Sequence, residues 1–258
     1  MSRHKLSFQE KIALAHEARH HRAARRAGLS REQIAAAALA IADAQGFEEV
    51  TMRKVAAVLG TGTMTLYHYV RTKDDLVALM DDALMGDVLV PEHELPKHWR
   101  GALAAIARRT RAAFMRHPWA LISMRKSPPG RNGMRHVEQS LAAVADTGLD
   151  PAGKLELIAL VDDYVFGHVL RSPTLGERDL PPDMAENLAR FAEAELASGA
   201  YPQLAALAVD GDVRAGMRAM FRAMSDEERF ERGLEAVLDG AGLRLGLPKD
   251  PESAVRVA

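Results

Sequence analysis

The chain has no cysteine among its 258 residues. That absence excludes disulfides, thiolate zinc sites and thiol nucleophiles, and it suits a reducing compartment. Aromatic residues are scarce, at 5%. Alanine and leucine fill the apolar positions instead, which makes helix the default expectation. Nowhere do about 18 apolar residues run together, so no membrane span and no membrane partner are expected. The opening MSRHKLSFQEK lacks the apolar centre of a signal peptide, and a cytoplasmic location is the expectation. Phosphate loops, nucleophile elbows and H-E-x-x-H motifs are missing too, so neither an enzyme nor a cofactor is expected. His16 and His20 stand four apart beside His21, a spacing that could hold a metal on one helix face. No third ligand lies near them in sequence, and no metal is expected.

Charge is uneven along the chain. Net charge is only −1. Residues 1–29, however, carry seven Lys or Arg against two Glu, residues 30–80 five against six acids, and the rest an acidic surplus of five. A basic front and an acidic back suggest that the front meets phosphate. A solvated basic tail would have the same composition.

Helices can be read from caps and stripes. Ser30-Arg31-Glu32-Gln33 is a capping box, followed by Ile34, Ala37, Ala38, Ile41 and Ala42 at helical spacing. Gly46 ends that helix. Thr51 caps a second, short one that Gly60 ends, and a third short segment, Thr63 to Tyr69, follows at once. Thr72-Lys73-Asp74-Asp75 opens a fourth, reaching about residue 89. Later helices are expected from Trp99 to His117, near 134–146, from Asp150-Pro151 to about 171, around 183–197, and from Ser225 to 246. SPPGRNG at 127–133 and SPTLGERDLPPD at 172–183 read as loops. The helix at 151–171 carries two apolar faces, one with Leu155, Ile158, Ala159, Val165, Phe166 and Val169, the other with Leu157, Leu160, Val161 and Tyr164. Such a helix needs two partners, one of which could be another subunit.

The stretch TMRKVAAVLGTGTMTLYHYVRTK at 51–73 has the shape of a helix-turn-helix, whose second helix enters the major groove. Threonine, tyrosine and histidine offer that groove hydroxyls and ring nitrogens. Three small helices packed in any α domain would have the same spacing. The order Thr51-Met52-Arg53-Lys54-Val55-Ala56, Leu59-Gly60, Thr65-Leu66-Tyr67-His68-Tyr69-Val70, Lys73 and Leu76 resembles the head of the tetracycline-repressor (TetR) family, from about Leu29 to Leu79. The resemblance implies that Thr51 contacts phosphate, that Arg53 can reach a base, that Thr63, Met64 and Thr65 enter the groove, and that Tyr67 and Lys73 clamp the backbone. Tyr69, Arg25 and Arg26 are further candidates for DNA contact. Gly62 departs from many relatives, which carry a larger residue there. It either weakens the recognition helix by about 1 kcal/mol or caps it.

Tyr201 to Leu207 and Phe230 to Gly240 resemble the regulatory domain of the branch nearest the tetracycline repressors. The implied architecture is all-α: a basic extension (1–29), a helix-turn-helix head (30–75), an effector-binding and dimerisation domain (76–247) and a frayed tail (248–258). The implied partners are operator DNA, a small effector and a second copy of the chain, with helices 151–171 and 225–246, Val237 and Leu238 included, forming a four-helix bundle. Trp99, Phe114, His117, Trp119, Met124, Tyr164 and His168 are candidate lining for an effector pocket, although plain core packing accounts for each singly. An all-α enzyme and a DNA-binding dimer that senses no ligand are the rival readings.

Truncation to Leu29 tests the basic extension. If it meets DNA, affinity falls and the slope of log affinity against log salt becomes shallower by ~1 per lost phosphate contact. An unchanged slope in a salt titration assigns the extension to solvent.

Overall fold

A computed structural model describes residues 29–124, 128–172, 182–206, 212, 215–216 and 227–249. The elements among them are α-helices and short 3-10 turns. The chain divides into two compact units, the first reaching Leu84 and including Ser123–Gly130, the second comprising Met85–Ile122 and the chain from Arg131 onward. The division falls nine residues later than the sequence-based boundary at 75. Leu76, Met80 and Leu84 are wholly buried, so the early turns of the fourth helix belong to the smaller unit's core.

In the smaller unit, α1 (Arg31–Gln45) starts at Ser30, whose hydroxyl accepts from the Gln33 N–H at 3.2 Å while the Gln33 side chain accepts from the Ser30 N–H at 2.9 Å. Its inner stripe is Ile34, Ala35, Ala37, Ala38, Ile41 and Ala42. Two short helices follow, α2 (Met52–Val58) and α3 (Thr63–Leu66). Between them Gly60 takes φ +63°, its N–H reaches the Ala57 carbonyl and the Thr61 N–H reaches that of Ala56. This paired closure needs a left-handed residue, which glycine supplies without steric cost. Next, α4 (Lys73–Val88) opens on a reciprocal cap: Asp75 accepts from the Arg71 and Thr72 N–H groups, and the Thr72 hydroxyl accepts from the Asp75 N–H. Those hydrogen bonds, led by the one from Arg71, lower the Asp75 pKa.

The larger unit contains α5 (Trp99–Arg116), α7 (Arg131–Ala143), α8 (Pro151–Leu170), α9 (Pro182–Ala197), α10 (Pro202–Ala205) and α11 (Glu227–Leu245); the short α6 (Ala120–Ser123) precedes α7 and was not foreseen. Helix α7 starts inside the stretch read as a loop. The Ser225 cap expected for α11 lies outside the described residues, as do Arg25 and Arg26. Asp150 caps α8, accepting from the Gly153 N–H at 2.8 Å, with Pro151 at the first turn, where its missing N–H costs nothing. The core joins α5, α8 and α11 through Trp99, Leu103, Ala107, Leu157, Val161, Val165, Phe230, Leu234 and Leu238.

Two corrections concern these helices. The inward side of α8 is Leu157, Val161, Val165, His168 and Val169, which draws members from both faces read in the sequence. Leu155, Ala159 and Leu160 are exposed. Leu238, expected in a subunit bundle, is wholly buried in its own protomer's core. Both follow from the 100° step of a helix: where leucine and alanine line every side, composition cannot show which stripe turns inward.

A ladder of ion pairs sets the register of α11 against α5. Arg100 pairs with Glu235 and, at 2.7 Å, with Asp239. Arg108 grips Glu231 through two nitrogens, at 2.9 and 2.7 Å, and Arg111 pairs with Glu227 at 2.6 Å. Ascending numbers on α5 meet descending numbers on α11, so the two helices run antiparallel.

A close approach lies beside this ladder. A Cβ at Gly233 would fall inside the hydroxyl and ring of Tyr164, whose hydroxyl donates to the Phe230 carbonyl at 2.9 Å. Gly233→Ala should lower stability by about 1–3 kcal/mol, read as a shift of the urea midpoint. An unchanged midpoint would mean that the Tyr164 ring has room to move.

Candidate nucleic-acid interface

Helix α3 is only four residues long, too short to hold itself together in water. Leu66 and Val70, both buried, anchor it from below. Their inward turn directs Met64 (74% exposed) and Tyr67 (45%) outward, together with Thr65 and His68, while Thr63 and Tyr69 are half-buried. Gly62 is the N-cap, with φ −81° and ψ 150°. It therefore lies outside the helix, and the interior penalty does not apply.

Around this surface the flanking residues divide by role. The Thr51 hydroxyl caps α2, accepting from the Lys54 N–H at 3.2 Å. Arg53 is exposed and has no hydrogen-bond or ion-pair partner among the described residues. Lys54, its neighbour, is taken up internally: its ammonium donates to Gln45 at 2.8 Å and pairs with Glu49. That hydrogen bond lowers the Glu49 pKa. The Lys73 ammonium sits 5.9 Å from the centre of the Phe47 ring. Arg31 donates to the Tyr69 carbonyl at 3.1 Å, tying α1 to the exit of α3. The braces by Arg31 and Lys54 were missed in the sequence reading, whereas the histidine it offered to the groove, His68, is exposed.

The residues read as effector lining do not all converge. Trp99 packs at the far end of α5, its ring against Gly242 and its indole N–H on the Pro248 carbonyl at 3.0 Å. With Arg100, Leu238, Asp239, Leu243 and Lys249 it lines a cleft of about 270 Å³. Fifteen residues of helix, about 22 Å, separate it from Phe114. His117 and Trp119 pair with each other, centroids 6.2 Å apart, and Met124 belongs to the smaller unit. Phe114 meets Phe166 edge-on at 5.3 Å, while Tyr164 and His168 both contact Phe230, at 5.6 and 5.0 Å. His168 is 1% exposed, and neither ring nitrogen has a hydrogen-bond partner among the described residues. Burial, then Arg111 and Arg229, depress its pKa to about 4. Asp162 on the same helix is shifted the other way: burial and then Asp163 raise it to about 6.

A model of bacterial regulatory proteins of the tetR family matches residues 34–80, the unit that holds α2 and α3. A second, the tetracyclin repressor-like C-terminal domain, matches residues 91–244. The chain belongs to the TetR family. It is a DNA-binding transcription regulator of that family, whose members bind operator DNA and small effectors and form dimers. Among its relatives is the HTH-type transcriptional repressor DrrR1 of Streptomyces coeruleorubidus, 35% identical, the match covering 82% of this chain and 77% of that one. An HTH-type transcriptional regulator of Saccharopolyspora erythraea is 30% identical over 85% and 87%. The structure of the TetR family protein ActR of Streptomyces coelicolor in complex with actinorhodin is similar at a TM-score of 0.59, with 25% identity over 85% of this chain and 99% of that one. Among the described residues, no helix of this TetR-family chain is long and apolar enough to cross a membrane.

The two perturbed groups of α8 set opposite pH slopes. His168, with its folded pKa below the unfolded value, contributes stability above about pH 6.5 that is lost as pH falls toward about 4. Asp162, with its folded pKa raised, costs stability as pH climbs from about 4 to about 6. Asp162→Asn should therefore stabilise the protein at pH 7 but not near pH 4. His168→Phe should flatten the loss on acidification, measured by urea unfolding across that range. Parallel pH profiles for wild type and both variants would refute the assignment.

Proposed function

We propose that this TetR-family regulator is a homodimeric repressor in the cytoplasm, released from its operator by a small molecule. The observation that carries the reading is the outward face of α3, with Thr63, Met64, Thr65 and Tyr67 presented over buried Leu66 and Val70. Arg53, without an internal partner, reads a base. Thr51, Tyr67 and Lys73 hold phosphates, Tyr69 supports that edge, and Arg25 and Arg26 extend the contact. DrrR1 is named a repressor, and the ActR structure holds actinorhodin; both relatives support effector-linked repression.

The dimer is supported by an outer stripe on α8 and α11. Leu160, Leu155, Leu170 and the 87%-exposed Leu243 lie on it, beside the exposed Ala159, Ala236 and Gly240. Leucines among small residues allow two helix pairs to close on each other about a two-fold axis. For the effector, Phe114, Tyr164 and His168 are the preferred lining. A ligand alters DNA binding only by preferring one arrangement of the two heads. Helix α4, which contributes to both units, is the element through which that preference passes.

Selection of operator sequences against single variants tests the head. Tyr67→Phe and Lys73→Ala should weaken binding on all sequences alike. Arg53→Ala should relax one base position, at a cost of ~1–3 kcal/mol there. Uniform weakening by all three removes Arg53 from base reading. Leu160→Glu with Leu243→Glu should give monomers by light scattering, and a monomeric wild type at micromolar concentration would refute the dimer. Effector and operator should weaken each other by the same factor; equal effector affinity with and without operator would refute release.

A further inference from the structure

Charge is divided unevenly over the recognition surface. From Gly62 to Val70 the chain carries no Asp, Glu, Lys, Arg, Asn or Gln. The cations stand outside that stretch, Arg53 on α2 and Arg71 and Lys73 at the entry to α4, all exposed. Met64 is the most exposed large apolar side chain of the uncharged centre, at 74% against 45% for Tyr67. Buried Leu66 and Val70 anchor α3, which leaves Met64 with no anchoring duty. Nothing lies within 4 Å of where a Cβ would stand at Gly60 or Gly62, so the turn before Met64 leaves its approach open.

The side chains present decide which bases α3 can tell apart. In the major groove Arg or Lys pairs with guanine, Asn or Gln pairs twice with adenine, and Asp or Glu accepts from cytosine. The stretch from Gly62 to Val70 has none of these side chains. The hydroxyls of Thr63 and Thr65 and the His68 ring make single hydrogen bonds, which more than one base satisfies. Guanine is left to Arg53. The C5 methyl of thymine is the one methyl group that the groove displays, and a methionine side chain is flexible and polarizable enough to close on it.

We infer that Met64 reads thymine, by packing its side chain against the C5 methyl of one thymine in each half of the operator. The inference rests on the reading of α3 as the element that enters the groove, and it adds the chemical feature that is read there. Thymine is told from cytosine by its methyl and not by a hydrogen bond, so the discrimination follows the methyl from base to base. Burying one methyl group is worth about fourfold in affinity, and a two-fold dimer gains that factor twice.

The test starts by selecting the sequence that the full-length protein binds from a random duplex library. Each thymine of that sequence is then replaced in turn by deoxyuridine, and affinity is read by fluorescence anisotropy. Uracil keeps every hydrogen-bonding atom of thymine and lacks only the methyl. One thymine per half-site should prove sensitive, by about fourfold when one half-site is changed and about fifteenfold when both are. A C·G pair at that position should bind about fourfold more tightly once its cytosine carries a C5 methyl. Met64→Ala and, separately, Met64→Gln should bind the thymine and uracil duplexes alike, with cooperative unfolding retained as the check on folding. No uracil-sensitive thymine, a sensitivity that survives in either folded variant, a folded variant that binds neither duplex, or no gain from methylcytosine overturns the inference. The same measurements separate it from the functional reading. A protein that enriches a sequence but fails these substitutions keeps its DNA-binding head and loses the methyl contact. One that enriches no sequence loses both.

Discussion

A recognition helix of four residues is not a stable object, and the smaller unit is arranged around that constraint. Nucleating a helix costs more than its first hydrogen bonds return, so α3 depends on its surroundings for its shape. Leu66 and Val70 hold it from inside. Gly60 and the paired hydrogen bonds at Ala56 and Ala57 fix where it starts, and Arg31 holds its exit through the Tyr69 carbonyl. The Lys54 link to Gln45 and Glu49 keeps α2 in place beside α1. Cations in this unit thus fall into two groups. Arg31 and Lys54 serve the fold, whereas Arg53 is exposed and has no partner among the described residues.

The larger unit meets a related demand on a longer scale. Three helices of 18, 20 and 19 residues share one apolar core, and a core of leucine, valine and alanine tolerates sliding because its pieces are alike. The Arg100, Arg108 and Arg111 ladder removes that freedom along α5 and α11. Arg100 and Arg111 are mostly buried, but their carboxylate partners are open to solvent, and pairs with one side in water contribute little to stability, so registry is the better account of their presence. Gly233 against Tyr164 adds a steric stop at one height only.

Much of the fold could be read in the sequence because its signals are local. Ser30 with Gln33, Thr72 with Asp75, and Asp150 before Pro151 each announce a helix start within four residues, and each is present as a hydrogen-bonded cap. The turn at Gly60 is equally local. Sidedness was harder. Leu155, Leu157, Leu160 and Val161 are all apolar, and only the positions of α5 and α11 decide which of them turn inward. The ladder was invisible for a similar reason: its partners stand more than a hundred residues apart, and in sequence each arginine looks like an ordinary solvated charge. Among the aromatic candidates, residue type could not reveal that Trp99 and Phe114 occupy opposite ends of one helix.

Gly62 illustrates how a protein can keep its architecture while changing what it recognises. Its φ and ψ are open to any amino acid, and no atom lies within 4 Å of where a Cβ would be. The fold therefore makes no demand for glycine there, in contrast to Gly60, whose positive φ favours it. A side chain acquired at this position would stand at the tip of the recognition surface without disturbing anything beneath it. Under the proposed reading of α3, a substitution at that point changes the surface offered to DNA while leaving the packing beneath it untouched.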